Sequence, residues 1–376
     1  MIITIIHSNF YPLGAQRAAI RLANNLALNG YGVNFFVLSD EGVLKKELNS
    51  KIKIFSPKLN VKIKYLGTLL RSAYFIYLMY QKKSKRIISF TPYLNILGII
   101  FKLFKPKTIL ICQERALSSA YLNDKYQMSI FASLLQKFFY KYFSRFASTW
   151  VFLSEDLKTD FINLFKLKIN TFVISNSYDP SLIIEKSKIN HDNEKLLNEK
   201  KSKFIISVVG RLADQKDPFL ALRTILKLKE LNLNLECNFI GDGELRGQLE
   251  RFIEERNLKE IVFFKGYKSN PEFYIKHSNL VLITSRYEGI PNVLLESIAL
   301  NIPIVTTSFI SGPKELLLKY NYNYVSSDRN PETLCNLILK IKEDKKVKES
   351  LSVISNKLLE ENSQKKISEK YLNLLI

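Results

Sequence analysis

The 376-residue chain is poor in cysteine, tryptophan, histidine and methionine, with three, one, three and three of each. Cys112, Cys237 and Cys335 are odd in number and far apart, which excludes a disulfide framework and a zinc-ligand pattern and suits a reducing compartment. No run of about 18 uncharged apolar residues occurs, so no segment reads as membrane-spanning. The longest candidate, Tyr65 to Tyr80, is interrupted by Arg71 and fits either a buried helix or one lying on a membrane surface. The opening "MIITIIHSNF" lacks the basic leader and small-residue cleavage site of a secretory signal, so a cytoplasmic location is expected. There is no Asp-x-Asp arrangement of the kind that holds a divalent metal, and neither a metal nor another cofactor is expected.

Acidic residues are missing altogether between Glu47 and Glu114, where many Lys and Arg mix with Tyr and Phe. The formal charge is +21, and it is concentrated: Met1 to Ser175 carries 25 Lys and Arg against 8 Asp and Glu, the remainder 31 against 27. A face of that kind attracts phosphates, whether of nucleic acid or of anionic lipid. What is present otherwise is ordinary for a folded protein, with 47% hydrophobic and 24% charged residues, and the length calls for two domains.

Runs such as "MIITIIH", "GVNFFVL", "RIISF", "TILIC" and "TWVFLS" are apolar on both alternating faces, as parallel strands buried on both sides are. Between them stand helical patterns such as "AQRAAIRLANNLALNG", with Gly30 as its C-terminal cap. The alternation fades from 177 to 203, a polar inter-domain connection, and restarts with "FIISVVG", "LECNFIGDG", "IVFFKG", "NLVLITS", "IPIVTT" and "YNYVSS". The expected architecture is α/β, with two Rossmann-like doubly wound parallel-sheet domains facing across a cleft. The expected boundaries are 1–176, 204–355, and a C-terminal helix over 356–376 that packs back on the first domain.

Two stretches carry chemistry. "SVVGRLADQKDP" places Arg211 and Lys216 in a loop after a strand, one forked cation and one point charge, as a pyrophosphate requires, with Asp217 and Pro218 suited to start the next helix. "SRYEGIPNVLLESIALN" puts Glu288 in a loop and Glu296 in a helix that begins near Asn292. Glu296 falls four residues after Asn292, so it is not the acid of a capping box. A helix start offers free amides to a phosphate, and a carboxylate beside it can accept from a ribose diol.

These pieces, with "FIGDGELRGQLE" and "VFFKGY", resemble in order and spacing the second domain of retaining GT-B glycosyltransferases of family 4, whose E-x7-E motif Glu288 and Glu296 match. "YPLGAQRAAIRLANNL" resembles that family's glycine-rich loop and helix, "WVFLSEDL" its last strand, and "VISNSYD" the segment opening the inter-domain crossing. The resemblance implies a nucleotide-sugar donor on the second domain. Arg211 and Lys216 would meet its diphosphate, Glu296 the ribose and Glu288 the transferred sugar. The amides of Gly289, Ile290, Pro291, Asn292, Val293 and Leu294, less the proline's, would complete the site, and Tyr267 would meet the base. Gly14 stands where the family commonly has two adjacent glycines, and "CQERALSS" where many members have a histidine. Glu114, with Arg115, is therefore expected to face the cleft as a catalytic candidate, and His7 ends the first strand. Ser311 to Pro313 would tune donor choice.

The implied reaction moves a hexose or N-acetylhexosamine, from UDP by family habit, to a glycan acceptor. That acceptor would be lipid-diphosphate-linked and serve bacterial O-antigen, capsule or lipopolysaccharide synthesis. The basic first domain would take the acceptor and touch the inner face of the plasma membrane peripherally. Other classes stay open at this point: a sugar-nucleotide epimerase or hydrolase on the same fold, or a non-catalytic protein binding membrane or nucleic acid, although no nucleic-acid motif is found.

Overall fold

A computed structural model describes residues 1–58, 64–123, 129–189, 203–309 and 313–376. The chain divides into two units, Met1–Ser177 with Asn362–Ile376, and Tyr178–Glu361. Each is built on one parallel sheet, so the α/β class and the two doubly wound sheets expected from the strand pattern are what the sequence forms.

The first unit's strands are β1 (Ile2–His7), β2 (Gly32–Val37), β3 (Lys53–Phe55), β4 (Arg86–Ser89), β5 (Ile109–Glu114), β6 (Thr149–Phe152) and β7 (Thr171–Val173), in the order β3-β2-β1-β4-β5-β6-β7. β3 and β7 go beyond the strands read from the sequence. Each is a three-residue edge strand, too short to show a pattern. Ile3 and Ile5 join a buried cluster with Ala19, Ala23 and Leu26 of the helix Gly14–Leu28, and Ile6 points the other way, toward Gly98 of the helix Pro92–Phe104. That two-sided burial is why the strand is apolar throughout. Gly30, at φ +83°, closes the first helix: its N–H meets Ala27 O at 3.2 Å and the Tyr31 N–H meets Leu26 O at 3.1 Å, the paired bonds of a Schellman turn.

After Pro331 come three helices, Pro331–Glu343, Val347–Asn362 and Gln364–Asn373. Ser363 caps the last by accepting from Lys366 N. Ile367, Tyr371 and Leu375 are buried against the Gly14–Leu28 helix, Ser368 Oγ donates to Asn25 Oδ1 at 2.6 Å, and Arg86 Nε donates to Leu375 O at 2.8 Å.

The second unit's strands are β8 (Phe204–Val209), β9 (Leu235–Ile240), β10 (Val262–Gly266), β11 (Leu280–Ile283), β12 (Ile304–Thr307) and β13 (Val325–Ser326), in the order β10-β9-β8-β11-β12-β13. Part of the segment expected as a connection belongs to this unit. Asp179 caps a helix, Pro180–Lys186, and Tyr178 and Ile183 are buried in the unit's core, with the Tyr178 hydroxyl 2.6 Å from Ser355 Oγ. Two buried apolar side chains outweigh the polar composition around them. Residues 190–202 lie outside the described residues.

Candidate functional site

β8 and β11 are neighbours, so the loops leaving their carboxyl ends emerge side by side. The first loop turns at Gly210, whose φ of +149° favours glycine. A Cβ there would stand 3.2 Å from Lys216 Cε, so the lysine stem runs directly over the glycine. A short 3-10 turn, Asp214–Lys216, follows. Asp217, in the left-handed region at φ +44°, then caps the helix Pro218–Glu230 by accepting from Leu220 N at 3.1 Å.

The second loop, 284–291, is stitched to the first. Thr284 Oγ1 donates to Lys216 O at 3.0 Å and to Asp217 O at 2.9 Å, Arg286 N donates to Gln215 O at 2.8 Å, and Gln215 Nε2 donates to Tyr287 O at 3.0 Å. These bonds bring Lys216 Nζ to 2.7 Å from Glu288 Oε2, while Ser285 Oγ donates to Glu288 Oε1. The two side chains are 25% and 11% exposed, so the pair is screened less than a surface ion pair and still opens to a ligand.

Glu296 is buried, in the helix Asn292–Ala299. Neither acid is therefore an ordinary solvated glutamate. That helix starts from Pro291 with no side-chain cap; Leu294 N donates to Pro291 O at 3.2 Å, and the amides a helix start leaves free are what a phosphate takes. Arg211 is exposed and its side chain has no partner among the described residues. Tyr267 is half exposed after β10. The loops thus gather Arg211, Lys216, Glu288, the Gly289 to Leu294 backbone and Glu296 at one end of the second sheet. Ser311 lies outside the described residues.

Sequence reasoning missed the charge hub beneath these loops. Asp217 is 4% exposed, yet it takes Arg329 Nη2 at 2.6 Å and Arg286 Nη2 at 3.1 Å, with Arg223 at 3.8 Å. Arg329 also donates to Ser285 O at 2.7 Å and to Thr284 O at 2.8 Å, so one guanidinium holds both loops. Arg286 stands within the stretch that drew attention, but Arg329 is 112 residues from Asp217, and no spacing joins them.

The first-unit candidates are placed differently. Gly14 is exposed and opens the Gly14–Leu28 helix. Glu114, expected as a catalytic group facing a cleft, is instead 4% exposed: Tyr140 Oη and Asn95 Nδ2, both buried, donate to its Oε1. Burial, against the pull of those two bonds, raises its pKa to about 8. Arg115 turns to Gln113 and Asn176, and His7 is fully buried. Among the described residues no group of three or more His, Cys, Asp or Glu is placed to hold a metal ion.

Comparison with known proteins finds likeness in the second unit above all. Residues 189–358 match the glycosyl transferases group 1 family. The matched segment falls wholly within Tyr178–Glu361, the unit that carries the loops just described. An uncharacterized glycosyltransferase of Methanocaldococcus jannaschii is 33% identical over 180 residues, covering 47% of this chain and 44% of its own length. An N-acetylgalactosaminyltransferase of Campylobacter jejuni, named for a diphospho-undecaprenol acceptor, is 32% identical over 40% of each chain. The chain spans less than half the length of these relatives. A second Campylobacter jejuni N-acetylgalactosaminyltransferase is 26% identical over 84% of this chain and 82% of its own. Among solved structures, HepE of Anabaena with UDP and glucose superposes with a TM-score of 0.79 at 18% identity, over 100% of this chain and 99% of that one. That likeness fixes the fold as the GT-B kind, two Rossmann-like units.

Proposed function

We propose that the protein is a glycosyltransferase that moves a hexose or N-acetylhexosamine from a UDP-sugar, with retention, to a lipid-diphosphate-linked glycan in bacterial surface-polysaccharide synthesis. The observation that carries this reading is the Lys216–Glu288 pair at 2.7 Å, with Arg211, which has no partner among the described residues, in the same loop as Lys216 and a helix start without a side-chain cap after the loop of Glu288. A phosphate-binding cation and a hydroxyl-binding carboxylate in contact suit a ligand that has both groups next to each other, as a nucleotide sugar has.

In this scheme Lys216 and Arg211 stabilise the leaving diphosphate, and the amides from Gly289 to Leu294 add to it. Glu288 holds a hydroxyl of the transferred sugar, Glu296 the ribose, and Tyr267 lies against the base. The acceptor hydroxyl enters on the face the diphosphate leaves, so the anomeric configuration is kept. The leaving phosphate takes the acceptor's proton, and no metal enters. Positioning and charge stabilisation supply the rate. Glu114 takes no direct part, because its carboxyl is enclosed by Tyr140 and Asn95.

The lipid-linked acceptor draws support from the first unit's surface. The helix Ile130–Phe143 leaves Ile130, Phe131, Leu134, Leu135 and Phe138 more than half exposed, with Lys137 and Lys141 among them and no acidic residue. A monomer rarely leaves so much contiguous apolar area to water, and its flanking charge favours an anionic bilayer. The helix Lys64–Gln81, which the sequence left between two readings, buries Phe75 and Met79 and exposes Leu69, Tyr77 and Tyr80. No helix among the described residues is long and apolar enough to cross a membrane.

The test is nucleotide release across UDP-, GDP- and ADP-sugars, with and without a lipid-diphosphate acceptor extract. Acceptor-dependent release from a UDP-sugar, with an α-linked product from an α-linked donor, supports the reading. Release without acceptor points to a hydrolase or epimerase, and silence across the panel refutes catalysis.

A further inference from the structure

A second cationic cluster, inside the first unit, has no place in that scheme. Arg115, just beyond β5, donates through Nη1 to Gln113 Oε1 at 2.8 Å and through Nη2 to Asn176 Oδ1, and its guanidinium carbon lies 5.5 Å from the centre of the Phe90 ring. All three partners are neutral. A half-buried guanidinium ordinarily takes a carboxylate, because a charge partly removed from water is costly to leave unpaired. Here the neighbouring charge is another cation, Arg21, whose side chain has no partner among the described residues. Burial pulls Arg115 down to about 10, with Tyr371 opposing that shift and Arg21 adding to it.

The polar groups around Arg115 have the same bias. His7 Nδ1 accepts from Ser8 N at 2.8 Å, which leaves the ring proton on Nε2, and that buried nitrogen has no partner among the described residues. Gln113 gives its oxygen to Arg115, so its unpartnered buried end is the amide Nε2. Both leftover groups are donors. Arg21, Asn25, Arg115, Asn176, Ser368 and Tyr371 line a pocket between the Gly14–Leu28 and Gln364–Asn373 helices and the sheet's end, and no Asp or Glu is among its lining residues. The Tyr371 hydroxyl also has no partner among the described residues.

We propose that this pocket binds a phosphate group between the guanidinium forks of Arg21 and Arg115. Phosphate fits better than a carboxylate because its oxygens accept from several directions at once, and this wall offers the Arg21 fork, the N–H groups that Arg115 does not spend on Gln113 and Asn176, and the Tyr371 phenol. The group is either free phosphate or the headgroup of a lipid phosphomonoester. The site lies within the first unit and does not rest on the sugar-transfer reading.

The experiment uses full-length protein with Arg211→Ala and Lys216→Ala, which removes the second unit's cations. Inorganic phosphate is titrated at constant ionic strength against chloride, by calorimetry and thermal midpoint. Phosphatidylcholine vesicles with and without phosphatidic acid form the second arm. In at least one arm binding should saturate, with affinity falling about tenfold or more on Arg21→Gln and less on Arg21→Lys, since the forked contact counts beyond its charge. Arg21 dependence in the phosphate arm assigns a free ion, and dependence in the vesicle arm alone assigns the lipid. Binding that Arg21→Gln leaves unchanged, or no saturable binding in either arm, overturns the proposal. Failure of the sugar-transfer reading shows separately, as wild-type protein that does not bind UDP.

Discussion

The two units treat charge in opposite ways. In the second, two acids at the loops meet cations: Glu288 takes Lys216, and Asp217 takes Arg329 and Arg286. In the first, three ionisable groups at the ends of β1 and β5 face neutral partners, with Arg115 on two amides, Glu114 on a phenol and an amide, and His7 on a backbone N–H. The second unit has arranged its charges against each other, so a ligand there exchanges partners. The first has left donors and an apolar helix face uncommitted, so what binds there supplies the missing charge or the missing apolar contact.

The comparison can be broken at its most ordered point first. Lys216→Ala should lower acceptor-dependent turnover at saturating donor by about 10²- to 10³-fold, the usual effect of losing one stabilising group at a developing charge. Near wild-type turnover would remove Lys216 from the chemistry. Arg329→Met should cost about 2 kcal/mol in thermal or denaturant unfolding, because it leaves Asp217 buried with Arg286 as its nearest cation. A cost of that size with turnover untouched would make the hub structural only. On the first unit, Phe131→Ser with Phe138→Ser should weaken binding to anionic vesicles by about tenfold or more, since each burial is worth ~1.5–3 kcal/mol at most. The remaining binding should fall steeply with salt.

The first unit's buried groups also make its stability depend on pH. Burial holds Glu114 protonated up to about 8 against a usual 4.5, so between those values the unfolded chain ionises while the folded one does not, and stability falls as pH rises. His7 is held neutral down to about 3 by burial and then by Arg115, so its contribution is lost as pH falls from 6.5 toward 3. Glu114→Gln should therefore remove the fall in stability between about 4.5 and 8 and leave the loss below about 4.5, which His7→Gln should change instead. Identical profiles for wild type and both variants would show that these groups do not titrate as placed.

Much of the fold was legible because doubly buried parallel strands are continuous apolar runs, as "IITIIH" and "LECNFI" are. β3 and β7 were not, being three residues long at sheet edges, and neither was the helix Pro180–Lys186, whose one buried residue, Ile183, stands in a polar stretch. Site candidates could be read from the sequence where they share one segment: Arg211 with Lys216, and Glu288 with Glu296. The site was illegible where contact joins distant segments, as Arg329 does with Asp217, or where direction decides, as with Glu114, which turns inward while Arg115 turns to the pocket. The Ile130–Phe143 helix is apolar over most of its length, so sequence alone does not tell a buried face from an exposed one.

The central claim is that Lys216 and Glu288 divide one ligand between them, the ammonium on phosphate and the carboxylate on sugar. Calorimetry with UDP and with the UDP-sugar selected by the release panel, on wild type, Lys216→Ala and Glu288→Gln, tests it directly. The account predicts that Lys216→Ala weakens both ligands by about tenfold or more, whereas Glu288→Gln weakens the UDP-sugar and leaves UDP nearly unchanged. Equal effects of Glu288→Gln on UDP and UDP-sugar, or none from Lys216→Ala on either, would contradict it.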